Sequence, residues 1–320
     1  MNRLLFAFLL AAPPLVAPIL AAAQAYPTRP VRVIVPFPPG GVDVIARVVT
    51  NKLGEVTGQP FVLENRAGAN GIIGSELVMR SAPDGYTLLI TTSSTMVTSG
   101  FLSKNVPFDP VKDFTPIGAM YEAVQLLVVK SGLPVGNVKE LVDYARKNPG
   151  KLTYATSGIG SAFHFMGEAF KQMTGTDILH VPYKGTGPVA VALVSGEADM
   201  GFPSYGNLGG NIGKVKVLAV TDPKRYSKYP DVPTVAETLP GFKRIPGWIA
   251  LFGPAGLPQP LVARLNTEIR NVMASPELKA TLDRNDALDI SGPAADLAGY
   301  IKTDLALSAG IAKAAGIKPE

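Results

Sequence analysis

Residues 31–56 read VRVIVPFPPGGVDVIARVVTNKLGEV. The β-branched run Val31–Val35 predicts a buried strand, and Pro36–Gly41 predicts a loop. From Asp43 to about Val56 the apolar residues recur at helical spacing, with Asp43 as an N-cap or first-turn acid. A strand that leads through a loop into a helix is the repeating unit of an α/β fold.

The same order of strand and helix continues through most of the chain. Further strands are predicted at Phe61–Leu63, Tyr86–Thr91, Leu126–Val129, Leu152–Ala155, Leu179–Val181, Ala198–Phe202, Lys216–Val220 and Ile249–Phe252. Further helices are predicted near Ile72–Arg80, Val138–Lys147, Ala162–Thr174, Pro188–Ser195, Asn207–Gly213, Pro258–Ala274, Pro276–Asp283 and Ala295–Ala315. This alternation predicts parallel, doubly wound sheets.

Two series of these units predict two lobes, with one large sheet as the alternative. No flexible linker separates the series, so we expect the chain to cross between lobes near Tyr121–Val124 and near Gly247–Leu251. Residues 26–123 plus 249–320 are predicted to form lobe 1, and residues 124–248 to form lobe 2. The C-terminal helices then return to lobe 1.

The first 25 residues have the features of a secretory signal peptide. Arg3 precedes a long apolar stretch, and residues 23–25 (Ala-Gln-Ala) have the small-x-small pattern, so cleavage is predicted before Tyr26. A permanent membrane helix is disfavoured because prolines interrupt the stretch and no basic stop-transfer flank follows. Together with a cysteine-free body, this predicts export to a bacterial periplasm.

Composition excludes several classes of protein. The 320 residues include 30 Lys and Arg against 25 Asp and Glu, and 47% are hydrophobic, which excludes a disordered chain. With no cysteine, neither a disulfide scaffold nor a cysteine-based zinc site is possible. No cofactor or metal is predicted. The basic residues are dispersed, so no nucleic-acid partner is expected.

Three predicted loops are rich in glycine and hydroxyl side chains: Pro36–Asp43, Thr91–Thr95 and Thr156–Ser161. Each follows a strand, and ligands of open α/β sheets bind beyond the carboxyl ends of strands. Helix N-termini and exposed backbone N–H groups favour anions. Four or five neutral donors, at roughly 1.5–3 kcal/mol each, can offset the desolvation of a carboxylate without an arginine. Each loop alone is more often a tight turn, but three together favour an anion site between the lobes.

Other residues keep two interpretations. Tyr183 either closes the cleft with its phenol or belongs to a turn. Asp199 either accepts a bond from a ligand hydroxyl or amine or is a turn residue. His164 faces the cleft or is structural, whereas His180 is interpreted as structural and Trp248 as a core residue at the crossing.

Several stretches resemble the substrate-binding receptors of the tripartite tricarboxylate transporters, called Bug-type receptors. The matching stretches are Pro30–Gly41, Glu64–Gly71, Ala82–Thr87, Tyr154–Ser161, His180–Gly185, Pro230–Glu237 and Phe252–Gly256. The resemblance implies a type-2 periplasmic-binding-protein fold whose lobes close on a small organic carboxylate. It also implies transient docking to integral membrane transporter subunits and no catalysis. We expect the protein to be a monomer.

The resemblance also implies a set of ligand contacts, carried over by position. They are Phe37, Pro39, Gly40, Gly41, Thr92, Ser93, Thr156, Ser157, Gly160, Ser161, His164, Tyr183, Gly185, Asp199 and Ser204. Two departures affect the set. Only Val42 separates Gly41 from Asp43, where the family usually has two residues ending in Thr-Asp. The stretch Phe202–Gly206 differs from the commoner acidic-Asn version.

Two other functions are weighed against transport. A ligand sensor that signals to a membrane kinase uses the same trap, and neighbouring genes for a two-part permease distinguish the two. A periplasmic hydrolase is less favoured, because the sequence contains no Gly-x-Ser-x-Gly, Ser-x-x-Lys, Gly-x-x-x-x-Gly-Lys or His-Glu-x-x-His motif.

Overall fold

The computed structural model describes residues 26–159, 161–244 and 247–319. The predicted signal peptide and its cleavage site precede these residues. The strands are β1 Val31–Val35, β2 Phe61–Asn65, β3 Thr87–Thr92, β4 Phe114–Ala123, β5 Leu126–Lys130, β6 Thr153–Thr156, β7 Leu179–Pro182, β8 Met200–Gly201, β9 Val215–Val220, β10 Trp248–Pro254 and β11 Ala287–Asp289.

Most helices match the predicted positions, but the helix predicted at Asn207–Gly213 is replaced by a shorter helix and a 3₁₀ turn, and short helices are added elsewhere. The helices are α1 Val42–Thr57, α2 Ile72–Met79, α3 Ser99–Leu102, α4 Val138–Lys147, α5 Ala162–Thr174, α6 Thr186–Ser195, α7 Tyr205–Leu208, α8 Val235–Thr238, α9 Gln259–Met273, α10 Pro276–Arg284 and α11 Ala294–Ala315. A π-helix at Ser94–Thr98 runs into α3, and 3₁₀ turns lie at Ala69–Gly71 and Gly209–Lys214. Within the described ranges, no helix is long and apolar enough to cross a bilayer.

Two mixed sheets form the framework. The six-stranded sheet has the order β11-β4-β10-β3-β1-β2, and the five-stranded sheet has the order β7-β6-β8-β5-β9. β1 is parallel to β2 and β3, and β6 is parallel to β7 and β8. β10 and β5 run antiparallel to their neighbours. The predicted parallel pairing is found for β1–β3 and β6–β8. β10 and β5 run the other way because each arrives from the other sheet and enters at the edge where the parallel strands end.

Helix α1 shows why a segment of this sequence folds as it does. Its residues Ile45, Val49 and Leu53 recur on one face and are at most 3% exposed, packed in the core below β1. Burial of each such side chain contributes roughly 1.5–3 kcal/mol. The helix ends at Gly58, whose φ of +74° is the left-handed C-terminal conformation that glycine adopts most easily.

The last helix joins the two halves of the molecule. Leu297 and Ile301, in the first part of α11, pack in a core cluster of the six-stranded sheet. Ala312 lies in the core cluster of the five-stranded sheet, and Ile317 packs against the same cluster. The chain passes between sheets after β4 and before β10. The lobe boundaries 26–123 plus 249–320 and 124–248 stay a prediction.

Candidate ligand-binding site

Loop 1, residues 36–41, connects β1 to α1. Gly40 and Gly41 have φ angles of +100° and +57°, which glycine adopts without steric cost. Gly41 is the N-cap of α1, and within the described part of the chain no side chain caps this helix. The N-terminus of α1 therefore has no side-chain cap from the described residues, and its partial positive charge favours an anion.

A polar cluster behind loop 1 holds it in place. Asn65, at the end of β2, donates from Nδ2 to the Phe37 carbonyl at 2.9 Å and to Asp43 Oδ1 at 2.8 Å. Arg47 donates to Asp43 Oδ2 at 2.9 Å and to Asn65 Oδ1 at 2.9 Å. Asp43 is buried, so its carboxylate positions the loop. Phe37 is half-buried, and Pro39 is exposed in the same loop.

Loop 2, residues 92–95, follows β3 and opens the π-helix. Asn70 donates from Nδ2 to Ser94 Oγ at 3.0 Å, which ties this loop to the 3₁₀ turn before α2. Thr92 Oγ1 accepts from the backbone N–H three residues later at 3.3 Å. Ser93 is buried, whereas Thr92 is half-buried. Thr92 is thus partly accessible, and its Oγ1 also lies 3.4 Å from Thr95 Oγ1.

Loop 3, residues 156–161, follows β6 and opens α5. Gly158 has a φ of +129°. Ser161 is the N-cap of α5, and its Oγ accepts from the His164 N–H at 3.2 Å. Gly160, a predicted contact, lies outside the described residues. The chain thus turns at a glycine and presents the N-terminus of a 13-residue helix, which favours a nearby anion.

Loop 4, residues 183–186, follows β7 and lies against loop 3. The Thr156 carbonyl accepts from the Tyr183 N–H at 2.8 Å, and the Ser157 carbonyl accepts from the Gly185 N–H at 3.3 Å. These bonds continue the β6–β7 pairing beyond the strands. Loops 3 and 4 therefore form one surface at the carboxyl edge of the five-stranded sheet.

The loops of the two sheets meet. Ser94 Oγ in loop 2 accepts from the Ala162 N–H at 3.0 Å, so the first amide of α5 is bonded across the cleft. A Cβ placed on Gly41 of loop 1 would lie 3.3 Å from Thr186 Oγ1 of loop 4. The absence of a side chain at Gly41 permits this approach. Four loops, two from each sheet, therefore surround one cleft.

Two stacked histidines lie beneath loop 3. The rings of His164 and His180 are 4.0 Å apart and within 7° of parallel. His180 Nε2 lies 2.6 Å from Thr156 Oγ1, a hydrogen bond that fixes this hydroxyl. Burial lowers the pKa of His164, and Nδ1 of this residue has no hydrogen-bond partner within the described residues. The stacked rings therefore lie against the Thr156 end of loop 3 and support it.

A tyrosine continues the stack into α5. The Tyr154 ring lies 5.0 Å from His180, and its hydroxyl donates to Glu168 Oε1. Burial and the neighbouring carboxylate raise the pKa of Tyr154. Burial acts to raise the pKa of Glu168, but hydrogen bonds from Lys171 and Tyr154 outweigh it and the pKa is lowered. The charges of Glu168 and Lys171 are thus satisfied within one lobe.

The structure places Asp199 away from the loops, in agreement with its interpretation as a turn residue. This residue precedes β8, and its Oδ2 accepts from the Thr153 N–H at 2.8 Å and Thr153 Oγ1 at 3.0 Å. Its Oδ1 pairs with Lys130 at 2.6 Å. Thr153 begins β6, so Asp199 lies at the amino edge of the sheet, opposite the loops. There its carboxylate accepts the backbone N–H at the start of β6, a role that needs no ligand.

Two further predicted contacts have structural partners for their hydroxyls. Tyr183 donates from its hydroxyl to Glu197 Oε1 at 2.8 Å, and burial with this carboxylate raises the pKa of Tyr183 to about 12. Only the backbone of Tyr183 belongs to the loop surface. Ser204 caps α7, accepting from the Asn207 N–H at 3.2 Å, and pairs with Gln125 at the crossing. Ser204 therefore lies at the rear of the cleft.

The loops around the cleft are almost uncharged. Lys184 is their one charged residue, and its side chain is exposed. Among residues 26–159, 161–244 and 247–319, no three His, Asp or Glu side chains are grouped so as to hold a metal ion. The donors facing the cleft are hydroxyls, backbone amides and two helix N-termini, which suit a carboxylate.

Most predicted contacts come together at these loops. Those in the loops are Phe37, Pro39, Gly40, Gly41, Thr92, Ser93, Thr156, Ser157, Ser161 and Gly185, and His164 lies in the first turn of α5. Three residues at the loops were missed: Asn65, Ser94 and Thr186. Ser94 lies within the hydroxyl-rich run already singled out, but the sequence gives no signal that its oxygen meets an amide of the other sheet.

Comparisons with known proteins agree with this geometry. A family model described as the tripartite tricarboxylate transporter family receptor matches residues 45–317. The chain is 34% identical to Rpa4515 of R. palustris, solved with adipate, over 92% of this chain and 100% of that one, with a TM-score of 0.87. It is 32% identical to the periplasmic binding protein BugD over 92% and 100% of the two chains, with a TM-score of 0.83. It is 31% identical to MatC (Rpa3494) from Rhodopseudomonas palustris with bound malate, over 89% and 99%, with a TM-score of 0.82.

Proposed function

Because the chain belongs to the tripartite tricarboxylate transporter receptor family, we propose that it captures a small organic carboxylate between its lobes and delivers it to the membrane subunits of such a transporter. The observation that carries this proposal is the meeting of four nearly uncharged loops, two from each sheet, at one cleft. Structures similar to this chain hold adipate and malate. Both are small dicarboxylates, the chemical class that hydroxyl and backbone N–H donors are suited to bind.

The proposed ligand contacts are the predicted residues at the cleft. They are Phe37, Pro39, Gly40, Gly41, Thr92, Ser93, Thr156, Ser157, Gly160, Ser161, His164, Gly185 and the backbone of Tyr183. The N-termini of α1 and α5 both adjoin this set. A carboxylate at each end of a short diacid would be matched by one helix N-terminus, which is worth up to ~2 kcal/mol when partly buried.

Capture is proposed to proceed by closure of lobe 1, residues 26–123 plus 249–320, on lobe 2, residues 124–248. The protein is proposed to act as a monomer in the periplasm after cleavage before Tyr26. It is also proposed to bind its ligand without chemical change. Nuclear magnetic resonance spectra of a bound carboxylate recovered after prolonged incubation would then match those of the free acid, and any turnover would contradict this.

Calorimetry with matched probes tests the proposal. Adipate and malate are titrated into the chain from Tyr26 onward, with adipamide as the uncharged control. A dicarboxylate is expected to bind and the diamide to fail, because the donors need a charged acceptor. Absence of binding across a broad panel of mono-, di- and tricarboxylates would overturn the proposal.

A variant pair localises binding to the cleft. Thr92→Val removes an accessible hydroxyl of loop 2, and affinity should fall about tenfold or more, since a hydrogen bond to a charged group contributes roughly 1.5–3 kcal/mol. Thr267→Val removes an exposed hydroxyl that bonds within α9 and should leave affinity unchanged. Equal affinities for both variants would place the ligand elsewhere.

A further inference from the structure

Three charged groups meet where the chain passes between the sheets. Glu122 lies on β4 of the six-stranded sheet, and Asp222 follows β9 of the five-stranded sheet. Arg244, on the returning segment, contacts both: Nη2 lies 2.5 Å from Glu122 Oε1, and Nε lies 3.2 Å from Asp222 Oδ1. One guanidinium thus joins a carboxylate of each sheet. We refer to these three residues as the hinge triad.

The triad is nearly buried, so the energy of its ion pairs depends strongly on the distances between the three side chains. The exposed fractions of the Glu122, Asp222 and Arg244 side chains are 15%, 14% and 16%. Burial raises the pKa of Asp222, and the Arg244 charge opposes this rise. Carboxylates held out of water depend on a close partner to stay charged. Separation of Glu122 from Asp222 would therefore break at least one of the two Arg244 contacts. The carboxylate that loses Arg244 would then lack its cationic partner while it is still largely shielded from water.

The crossing segments tie the triad to lobe orientation. Glu122 Oε1 also accepts from the Gly247 N–H at 3.2 Å, so the two crossing segments are bonded to each other. Val124 and Gln125 lie between β4 and β5. Rotation of one lobe about these residues changes the distance between Glu122 and Asp222. Ion pairing and lobe angle are consequently coupled.

We propose that Arg244 is a positioning residue that sets the closed angle of the lobes by pairing Glu122 of lobe 1 with Asp222 of lobe 2. This inference rests on the proposed capture of a ligand by closure. The triad stabilises the arrangement in which Ser94 reaches the Ala162 N–H. It acts at the crossing and needs no contact with the ligand.

A second arginine provides a matched control. Arg225 pairs with Glu237 through Nε at 2.9 Å and Nη2 at 2.6 Å. Both side chains are nearly half exposed, and both lie between β9 and β10. This pair joins no residue of the six-stranded sheet, so loss of its charge tests for a general effect of removing an arginine ion pair.

Distances between spin labels report the lobe angle directly. The chain has no cysteine, so Val44→Cys on α1 and Val191→Cys on α6, both exposed, label one site in each lobe. Double electron–electron resonance is recorded for the labelled parent, Arg244→Met and Arg225→Met, without ligand and with adipate. Arg244→Met should shift the distances in both conditions toward longer values, whereas Arg225→Met should match the parent.

The outcomes separate a positioning role from a structural one. Loss of stability in Arg244→Met with unchanged label distances would overturn the proposal. If this variant does not fold, Glu122→Gln and Asp222→Asn each remove one arm and should give the same shift, and unchanged distances in both would also overturn it. Failure of adipate and every other carboxylate to bind the parent would contradict the proposed function, but the ligand-free distances would still decide the role of Arg244.

Discussion

Thr156 shows how one side chain connects the cleft to the sheet beneath it. Its hydroxyl bonds to His180, whose ring stacks on His164 in α5. Its carbonyl bonds to the Tyr183 N–H in loop 4. A single residue therefore fixes two loops and a helix. Anion binding by neutral donors requires that the donors point in a fixed direction. In this cleft the backbone fixes the positions of those polar atoms.

Asp304, on α11, carries a pH-dependent prediction. Burial raises the pKa of its carboxyl to about 6 and nearby Glu122 adds to this, whereas the Trp248 Nε1–H bond and Arg244 oppose it. The folded protein therefore binds more protons than the unfolded chain between about pH 4 and pH 6, so this group lowers stability as pH rises through that window. Asp304→Asn keeps an amide oxygen for Trp248 and removes the titration.

Urea unfolding at pH 4.5, 5.5 and 6.5 measures this effect. The free energy of unfolding of Asp304→Asn should rise relative to that of the parent as pH increases. Asp143→Asn is the control, because Asp143 is an exposed carboxylate whose pKa Lys139 lowers. A pH profile of Asp304→Asn parallel to the parent would show that the carboxyl does not titrate in this window.

At the scale of the elements, helix α5 lies so close to its sheet that one of its positions has no room for a side chain. A Cβ on Gly167 would lie 2.2 Å from the Tyr154 ring. The glycine lets the helix lie on the tyrosine, which places the N-terminus of α5 at the cleft. The short approach of helix and ring is therefore part of how the site is positioned.

Two glycine substitutions with opposite signs test this packing. Gly167→Ala should destabilise the fold by about 1–3 kcal/mol, because the methyl group overpacks the contact with Tyr154. Gly299→Ala, at an exposed position of α11 with open space around it, should stabilise by up to about 1 kcal/mol. Chemical denaturation compares them, and equal effects would argue that α5 has room to move.

Element patterns were predicted well where apolar periodicity was strong. β4 was missed because Pro116 and Gly118 interrupt its apolar run, although the strand pairs with both β10 and β11. The helix predicted at Asn207–Gly213 is instead the short α7 and a 3₁₀ turn, since glycines weaken a helix there. The glycine loops of the site were evident in sequence. The sequence did not reveal that Asp199 lies at the opposite edge of the sheet from these loops, because the order of strands in a sheet cannot be predicted from local sequence patterns.

At the scale of the whole molecule, α11 makes two cores depend on one helix. Its C-terminal part contributes Ala312 to the core of the five-stranded sheet, and the Ala314 carbonyl accepts from Gln172 of α5. The Phe101 and Phe165 rings, which belong to the same cluster as Ala312, meet edge to face 6.2 Å apart. Coupling of this kind favours unfolding of both lobes together.

Calorimetric unfolding of two shortened chains tests this coupling. A chain ending at Gly310 loses Ile311, Ala312 and Ile317 from the second core, and full burial of an isoleucine side chain contributes roughly 1.5–3 kcal/mol. Its single transition should split in two, with the earlier one from the lobe that contains β5–β9. A chain ending at Ile317 should unfold as the parent does. One unchanged transition in the shorter chain would show that the lobes are coupled elsewhere.

Because β10 lies between β3 and β4 in the sheet but follows them in the chain, the sheet stays incomplete during much of synthesis. Ribosomal synthesis supplies β3 and β4 more than a hundred residues before the strand that separates them. Until that strand emerges, both carry an unpaired edge, the kind that recruits other chains. A nascent polypeptide halted before residue 248 is thus an aggregation hazard, and holding it unfolded until Trp248–Pro254 is available would protect it.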